Sequence, residues 1–557
     1  MSASSTLSSA THAGGSRRRG RGTATALAAL VSVTLLAAAC GGSGGDDPSG
    51  EDAGGDPTTT TAAAPTGPEA TRLEIVPVPD TVRGARYAAW TADGDAIVLS
   101  GIPEGRDTVE VLRVAEDGSD LACLTCDLDH TVDEPFLKAI AFPDGERLLV
   151  RIGEQSPIVN GTHAVVECAP SVADCTDATL VPIEAPSTDD PAVQQPQREF
   201  RLSPDGTTVG FSQVRTAADG STAFVASVGT LRRDGDRYVV DDARVVSQLG
   251  ELKNFTPDGA AVLVSAFTTL PDRAADPDIV RIDLATGEQT DVTDNGDYDE
   301  DVAFAPDQRS YAVFSGRDTG LFETVSQVRR PNDIGPGLDA LFSSLFVSHR
   351  KELLEPWLVP AGAEQEGELG QLLNPGSLDE GWDARTLVGW HPDGDRLLFW
   401  EDRGDPFDAP TADGTRIVVV HLTDRQPAEA PDADPSPTPD WAPELAGFVP
   451  EPLEIAESRD GEVGGRVTVA FTPSPDGPGG GTIEVTYEAF SDDGEWVIDG
   501  TERAVFEGGL AGSSGYTADL TLSGDHDGFL RADATIAPTG IEGTVESEVD
   551  GRSLRLP

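Results

Sequence analysis

The stretch RLSPDGTTVGF, residues 201–211, decides the fold, because its pattern occurs six times along the chain. In each copy a large apolar residue precedes an Asp-centred turn, and a run of alternating apolar residues follows the turn. The first four intervals between turns are about 50 to 60 residues long, a period typical of propeller blades rather than of helical solenoids. The turns are centred on Asp93-Gly94, Asp144-Gly145, Asp205-Gly206, Asp258-Gly259, Asp307-Gln308 and Asp393-Gly394.

The chemistry of these turns predicts β-hairpins. Proline fixes φ at the first central position, Asp accepts hydrogen bonds from the backbone that follows it, and Gly tolerates a positive φ. Alternation after the turn, as in Leu148, Val150 and Ile152, predicts strands with one face toward a core between sheets. Since one hairpin is marginal alone, the blades must bury one another's faces. The apolar anchors before the turns are Trp90, Phe142, Leu202, Phe255, Phe304 and Trp390.

The repeats resemble the WD40-like PD40 repeat of TolB-type propellers. The closest match runs from Asp278 to Glu288 and continues through residues 299–307 to residues 314–318. The resemblance covers residues 72–425 and implies an all-β fold with a six-bladed propeller, a seven-bladed one being the alternative. Gln308 departs from the pattern, and the longer fifth interval indicates an insertion at about 321–380. Residues 332–352 of that insertion favour a helix or a degenerate blade.

The sequence after the propeller predicts a second folded unit. Residues 426–452 are rich in Pro, Ala and Asp and should form an extended linker. Residues 453–557 contain short alternating strands, such as Val467, Val469 and Phe471, with hairpin turns between them. These features predict a small antiparallel β domain, either a sandwich or a barrel-like sheet.

The N-terminus has the layout of an exported lipoprotein. Four arginines precede an apolar run that is shorter than a bilayer-spanning helix, so residues 1–39 are interpreted as a signal peptide. Leu36 to Cys40 resembles a bacterial lipobox, which implies lipidation of Cys40. Residues 40–71 lack apolar runs and should be a disordered tether. We therefore expect a protein anchored to the cell membrane on its extracytoplasmic side.

The net charge of the chain limits the kinds of partner that it can bind. The formal net charge is −58, which disfavours nucleic-acid binding. An actinobacterial composition that prefers arginine to lysine would give the same acidic bias.

Apart from Cys40, the cysteines are Cys123, Cys126, Cys168 and Cys175. An even number of cysteines in an exported chain suggests two disulfides, with three possible pairings open. Similar Cys-Leu-Thr-Cys endings in secreted PD40 repeats favour local pairing. A four-cysteine zinc site is the alternative, disfavoured by the Cys-x6-Cys spacing.

The sequence indicates binding rather than catalysis. No His-Glu-x-x-His pattern occurs, and the chain after the propeller contains no nucleophile elbow between a strand and a helix. Two acidic clusters, residues 294–301 and 525–528, lack the full calcium-loop pattern. We expect no cofactor, no resident metal and a monomer that binds an envelope protein or a cell-wall glycan. The alternative is a metal-dependent propeller lyase with clustered histidines in its channel.

Overall fold

The computed structural model describes residues 68–128, 135–153, 162–184, 186, 193–216, 222–248, 250–267, 277–331, 345–346, 349–404, 414–427, 434–450, 458–473, 481–507, 513–537 and 540–556. These residues form six four-stranded blades and one eight-stranded C-terminal sheet. No helix among them is long and apolar enough to cross a membrane. The predicted signal peptide, Cys40 and most of the tether lie outside the described residues.

The strands follow the chain blade by blade. The first strand, β1 (Thr71–Ile75), belongs to the last blade. Blade one contains β2 (Val82–Trp90), β3 (Ile97–Pro103), β4 (Glu110–Val114) and β5 (Ala122–Cys123). Blade two contains β6 (Phe136–Ala141), β7 (Arg147–Ile152), β8 (Thr162–Ala169) and β9 (Asp177–Glu184). Blade three contains β10 (Val193–Leu202), β11 (Thr208–Thr216), β12 (Thr222–Asp234) and β13 (Arg237–Ser247).

The second half of the ring repeats this order. Blade four contains β14 (Gly250–Phe255), β15 (Ala261–Phe267), β16 (Pro277–Asp283) and β17 (Gln289–Asp291). Blade five contains β18 (Asp299–Phe304), β19 (Ser310–Ser315), β20 (Glu355–Pro360) and β21 (Gln371–Leu372). Blade six contains β22 (Asp383–Trp390), β23 (Arg396–Asp402) and β24 (Thr415–Leu422), and β1 completes it by pairing with β24. The first strands of the blades face the centre, and β22 contacts β2, so the six-bladed ring is closed.

Burial corrects one feature of the sequence prediction. The second strands were expected to bury one face, but β19 is buried at all six positions and β23 at six of seven. The reason is that each blade lies between two neighbours, so both faces of its inner strands are covered. Alternation along these strands therefore distinguishes two buried faces, each packed against a different blade.

The Asp-centred turns form as predicted and pack against one another. Asp258 accepts hydrogen bonds from the Thr256 hydroxyl (2.6 Å) and from the Ala260 backbone (3.0 Å). Gly94 has a φ of +76°, and a Cβ there would lie 2.2 Å from His391 Nε2 in the turn of blade six. The last turn thus packs on the first, so the glycine is required both by the turn conformation and by ring closure.

Two features reinforce the outer side of the ring. The long β12–β13 hairpin reaches blade two, where β13 pairs in parallel with β9 and joins both blades into one eight-stranded sheet. Described residues of the predicted linker also lie on the propeller: Trp441 Nε1 donates to the Leu284 carbonyl (2.9 Å), and Leu445 is buried beside blades two and three.

The structure joins Cys123 to Cys126 and Cys168 to Cys175, the local pairing preferred from the sequence.

The C-terminal unit is one curled antiparallel sheet in sequential strand order, which corresponds to the barrel-like alternative. Burial alternates along its strands, so one face points inward. The strands are β25 (Ser458–Asp460), β26 (Gly464–Pro473), β27 (Gly481–Ser491), β28 (Trp496–Glu507), β29 (Ser513–Gly524), β30 (Gly528–Ala537), β31 (Gly540–Val549) and β32 (Arg552–Arg555).

The inward face of this sheet packs around chain that leaves blade five. Strands β20 and β21 lie within 321–380, so the excursion is the shorter stretch between Ser315 and Glu355. It contains helix α1 (Glu323–Ser326), and its apolar residues share one core with the C-terminal sheet. Leu345 belongs to the same core, whereas residues 332–344 of the expected helical segment lie outside the described residues. The core residues from the excursion are Leu321, Phe322, Val325, Val328, Leu345 and Leu353.

A buried ion pair lies at the centre of this core. Arg330 Nε is 3.1 and 3.2 Å from the two carboxylate oxygens of Glu502 on β28. The hydroxyls of Tyr487 and Tyr516 donate to the same carboxylate at 2.7 and 2.8 Å. Burial and the Glu502 charge raise the pKa of both tyrosines well above the usual value, so they remain donors. The network is satisfied on every side, with Arg330 Nη1 donating to the Val325 carbonyl (2.7 Å).

We expect Arg330→Ala to destabilise the C-terminal sheet by about 3–5 kcal/mol, because it leaves the Glu502 charge buried without its cation. Unfolding monitored by Trp fluorescence in denaturant measures the loss. Arg552→Ala is the control, since it removes a largely exposed partner of Glu323 and should cost about 0–1 kcal/mol. The neutral pair Arg330→Met with Glu502→Gln should recover most of the stability. Equal small losses in both single variants would contradict the assigned role of Arg330.

Candidate ligand site in the central channel

In each blade, the β-pairing of the innermost strand is interrupted at a similar distance from the turn. The pairing of β2, β6, β10, β14, β18 and β22 with the next strand shifts register a few residues before the turn. A β-bulge of this kind re-aims side chains and is common beside functional sites. The bulges therefore direct a ring of side chains from six distant parts of the chain toward the channel.

Three consecutive blades place a non-glycine residue with left-handed backbone at the bulge. Tyr87, Lys138 and Glu199 have φ values of 51°, 50° and 54°. Residues with side chains adopt this conformation at a cost, and such costs are concentrated at binding and catalytic sites. The innermost strands of blades one, two and three thus share this backbone conformation at the bulge.

Ion pairs connect the channel side chains of blades three, four and five. Arg201 Nη2 lies 2.7 Å from Glu199 and 3.3 Å from Asp301. Because Arg201 is on blade three and Asp301 on blade five, this contact links the two blades on either side of blade four. Lys253 of blade four lies 3.1 Å from Glu251 and 3.4 Å from Glu300, both on neighbouring inner-strand positions. Cations and carboxylates are therefore matched on this side of the channel.

Cations gather around Tyr87 on the opposite side. The charged groups of Arg86, Lys138 and Arg151 lie 5.8, 5.9 and 5.7 Å from the centre of the Tyr87 ring. Such distances are within the range of cation–π attraction. Lys138 Nζ is also 3.7 Å from Glu199, which links this group to the ion pairs of blade three. We call Arg86, Tyr87, Lys138 and Arg151 the basic cluster.

Burial and the cations of the basic cluster lower the pKa of the cluster's own Lys138 and of the neighbouring His163. Burial lowers the pKa of Lys138, Glu199 opposes this, and the charges of Arg151 and Arg201 lower the pKa further. Burial, with the charges of Arg151 and Lys138, lowers the pKa of His163 to about 3. The His163 ring stacks on Phe200 at 4.1 Å and is neutral near pH 7. A local positive potential thus exists inside a protein of strongly negative net charge.

A second group of buried charges lies between blades five and six. Asp383 is 3.1 Å from Arg385 and 3.7 Å from Lys351. Glu355 is almost fully buried, and burial raises its pKa to about 8, with Glu401 and Asp383 adding to the rise and Asn374 opposing it. Glu355 therefore holds a proton in the folded protein at neutral pH, whereas in the unfolded chain it is ionised above its ordinary pKa of about 4.3.

This difference makes stability depend on pH. The contribution of protonated Glu355 is complete below the unfolded pKa and is lost as pH rises toward about 8. We expect Glu355→Gln to flatten that part of the profile and to raise the melting temperature at pH 8.5 relative to the unchanged protein. Thermal unfolding between pH 5 and pH 8.5 measures it. Glu352→Gln, at an exposed position nearby, should leave the profile unaltered; identical profiles for all three proteins would refute the buried-proton assignment.

A group of possible metal ligands in the turn of blade six has a structural role. His391, Asp393 and Asp395 could bring ligand atoms within 4.8 Å of one another. However, His391 Nδ1 accepts the Asp393 backbone N–H (3.1 Å), and Nε2 lies within hydrogen-bond distance of the Gly94 carbonyl (3.2 Å) and of Arg396 Nη2 (2.9 Å). Both ring nitrogens are thus used in turn packing.

The acidic clusters are also engaged within the fold. Asp297 accepts backbone hydrogen bonds from Gly320 (2.9 Å) and Phe322 (2.8 Å) at the start of α1. Asp299 is 3.0 Å from the buried Arg317. In the C-terminal cluster, His526 Nδ1 lies 2.7 Å from Asp550 in a neighbouring turn. These contacts give Asp297 and Asp299 structural roles within the propeller.

Sequence reasoning missed the channel residues. Lys138 and Lys253 are two of the three lysines in the chain, and both lie on innermost strands. A usable signal exists, since the third residue before the apolar anchor is Tyr87 in blade one, Glu199 in blade three and Asp301 in blade five. A tyrosine or a charged residue at a position flanked by apolar strand residues indicates a side chain directed into a polar channel.

Comparisons with known proteins place TolB among the similar structures, as the repeat predicted. No family model and no curated protein matches the sequence. TolB from Acinetobacter baumannii is 14% identical over 63% of this chain and 67% of its own, with a TM-score of 0.32. Oligogalacturonate lyase from Vibrio parahaemolyticus is 10% identical over 65% of this chain and 99% of its own, with a TM-score of 0.35. The propeller assignment itself comes from the strand pairing described above.

Proposed function

We propose that the protein is a lipid-anchored, extracytoplasmic lipoprotein whose propeller is a non-enzymatic scaffold that binds an envelope protein or a cell-wall glycan. The observation that carries this proposal is the row of left-handed bulge residues Tyr87, Lys138 and Glu199. A closed ring holds them in fixed orientation, which lowers the cost of ordering side chains when a ligand binds. Lipidation of Cys40, predicted from the lipobox, would hold this site near the membrane surface.

The arrangement of polar groups favours binding over metal-assisted cleavage. His163, on the third strand of blade two, is stacked on Phe200 and lies among cations that oppose a further positive charge. A divalent metal would prefer carboxylate and imidazole ligands placed together. In the described channel wall, Glu199 and Asp301 are instead bonded to Arg201. A metal-dependent lyase is the competing proposal, and it predicts a divalent ion bound in the channel.

We expect the chain from Gly41 to Pro557, immobilised without its lipid, to retain a specific protein or glycan from an envelope extract. The control is the same chain with Tyr87→Ala and Glu199→Ala, which removes the channel groups but leaves the turns and the C-terminal core. Mass spectrometry and glycan analysis identify what is bound, and metal content is measured on the same sample. A stoichiometric divalent metal together with cleavage of a retained polysaccharide would overturn the non-enzymatic proposal.

A further inference from the structure

We propose that the outer edge of blade six is a docking site for an extended, basic segment of a partner protein, which adds a strand beside β1. This site is separate from the channel of the proposed function, because it lies on the rim of the ring. Strand addition to an exposed sheet edge is a recurring mode of peptide recognition, in which main-chain hydrogen bonds supply affinity and side-chain pockets supply specificity.

Strand β1 is the one long outer strand that the described blades leave open. The outermost strands of blades one, four and five contain only two or three residues. Those of blades two and three pair with each other. Strand β1 has five residues, and within the described part of the chain only β24 pairs with it. Short or covered outer strands keep sheet edges from pairing with other chains, so β1 is the exception in this ring.

The hydrogen bonds to β24 show which backbone groups face the open edge. The Thr423 N–H donates to the Ala70 carbonyl (2.8 Å), and the Val76 N–H donates to the Ile417 carbonyl (3.0 Å). Hydrogen-bonded pairs alternate along an antiparallel ladder, so the odd-numbered positions 71, 73 and 75 direct their N–H and C=O groups outward. A partner strand therefore meets donors and acceptors at the regular spacing of a β-ladder.

Exposed apolar side chains are concentrated beside this edge. Leu73 and Ile75 are each 38% exposed and Leu369 of blade five is 39% exposed, three of the seven exposed large apolar side chains among the described residues. Leu73 and Ile75 face blade five, because their neighbours Val420 and Val418 on β24 belong to the core between blades five and six. Clustered apolar side chains on a surface are typical of interaction sites.

A groove of about 260 Å³ lies between blade five and the start of β1, which is room for a side chain rather than for a single water molecule. Its apolar lining comes from Leu358, Pro360 and Leu369. The Gln371 side chain joins the two blades at this point, since its amide bonds both the N–H and the C=O of Glu69 (2.8 and 3.0 Å). The groove is therefore a fixed feature of the closed ring.

The charges around the groove favour a basic occupant. Glu368 lines the groove and is exposed, and Asp424 is exposed in the segment that bonds the start of β1. Neither carboxylate forms an ion pair with another described residue, whereas the neighbouring Arg425 is already paired with Glu69. A lysine or arginine side chain fits this lining, because its apolar stem lies on Leu369 while its charged end reaches Glu368.

The same charges disfavour the other obvious occupant, a second copy of this chain. Each copy carries a formal net charge of −58, and like net charges repel one another. Pairing β1 with itself would bring two acidic rims together. A basic strand from a different protein instead neutralises the rim, so we assign the docking site to such a partner.

Fluorescence anisotropy of a fluorescein-labelled peptide of alternating valine and lysine, added to the chain from Gly41 to Pro557, tests the charge part of the proposal. We expect the peptide to bind, and a peptide with the valines and lysines in two separate blocks to bind about tenfold more weakly. Glu368→Gln should weaken binding several-fold, the size expected for one partly screened charge. Asp236→Asn, which removes an exposed carboxylate from the β12–β13 hairpin, should change nothing.

A second pair of variants tests the backbone edge. Leu73→Pro removes an outward N–H but no hydrogen bond to β24, and proline is tolerated on edge strands, so the protein should fold and lose the peptide. Leu73→Ala retains the N–H and should weaken binding only a few-fold. Circular dichroism melting of each variant shows whether the fold is intact.

The remaining outcomes overturn the proposal in identifiable ways. Absence of peptide binding, or equal losses in Glu368→Gln and Asp236→Asn, would show that the groove is not a docking site. Equal losses in Leu73→Pro and Leu73→Ala would rule out strand addition. A dimer in analytical ultracentrifugation that Leu73→Pro dissociates would make a second copy the occupant. The channel variant with Tyr87→Ala and Glu199→Ala should bind the peptide normally, so failure of the channel proposal and failure of this one are distinguishable.

Discussion

The structure depends on one constraint: each blade has two apolar faces, and only a closed ring covers both. The strands β19 and β23 are buried nearly throughout because a blade lies on either side. Closure is made by β1, which pairs with β24 from the far end of the propeller. Burial of inner strands on both faces removes a large apolar area from water, at about 25 cal/mol per Å². An open arc would leave two such faces exposed, so the ends of the propeller must meet.

Closure also determines where the chain enters and leaves the ring. Glu69, just before β1, pairs with Arg425, just after β24. The predicted tether and the linker to the C-terminal sheet therefore start from the same blade. The same ring brings the six inner-strand bulges to similar positions around the channel, although they are far apart in sequence. The basic cluster and the ion pairs of blades three to five are thus products of ring geometry.

The fold could be predicted from the sequence because its decisive signals are local. Anchor, turn and alternation lie within about a dozen residues, and Asp258 shows that the turn chemistry works as expected. The candidate site could not be predicted in this way. Lys138 and Tyr87 are about 50 residues apart in the chain, and their proximity depends on how neighbouring blades pack, which no local sequence pattern specifies. The left-handed backbone at Glu199 was equally hidden, since nothing in its residue type favours a positive φ.

The extent of the C-terminal unit is another feature that composition alone does not determine. The Pro-rich linker suggests an independent domain after residue 452, yet the inward face of its sheet packs on Phe322 and Val325 from blade five. Glu502, at the centre of that face, has its cation in Arg330. A buried carboxylate without a partner is costly, so the contact with the excursion stabilises the sheet. Any binding by the C-terminal sheet is therefore binding by a surface packed on the excursion from blade five, the blade whose Asp301 meets Arg201 of blade three.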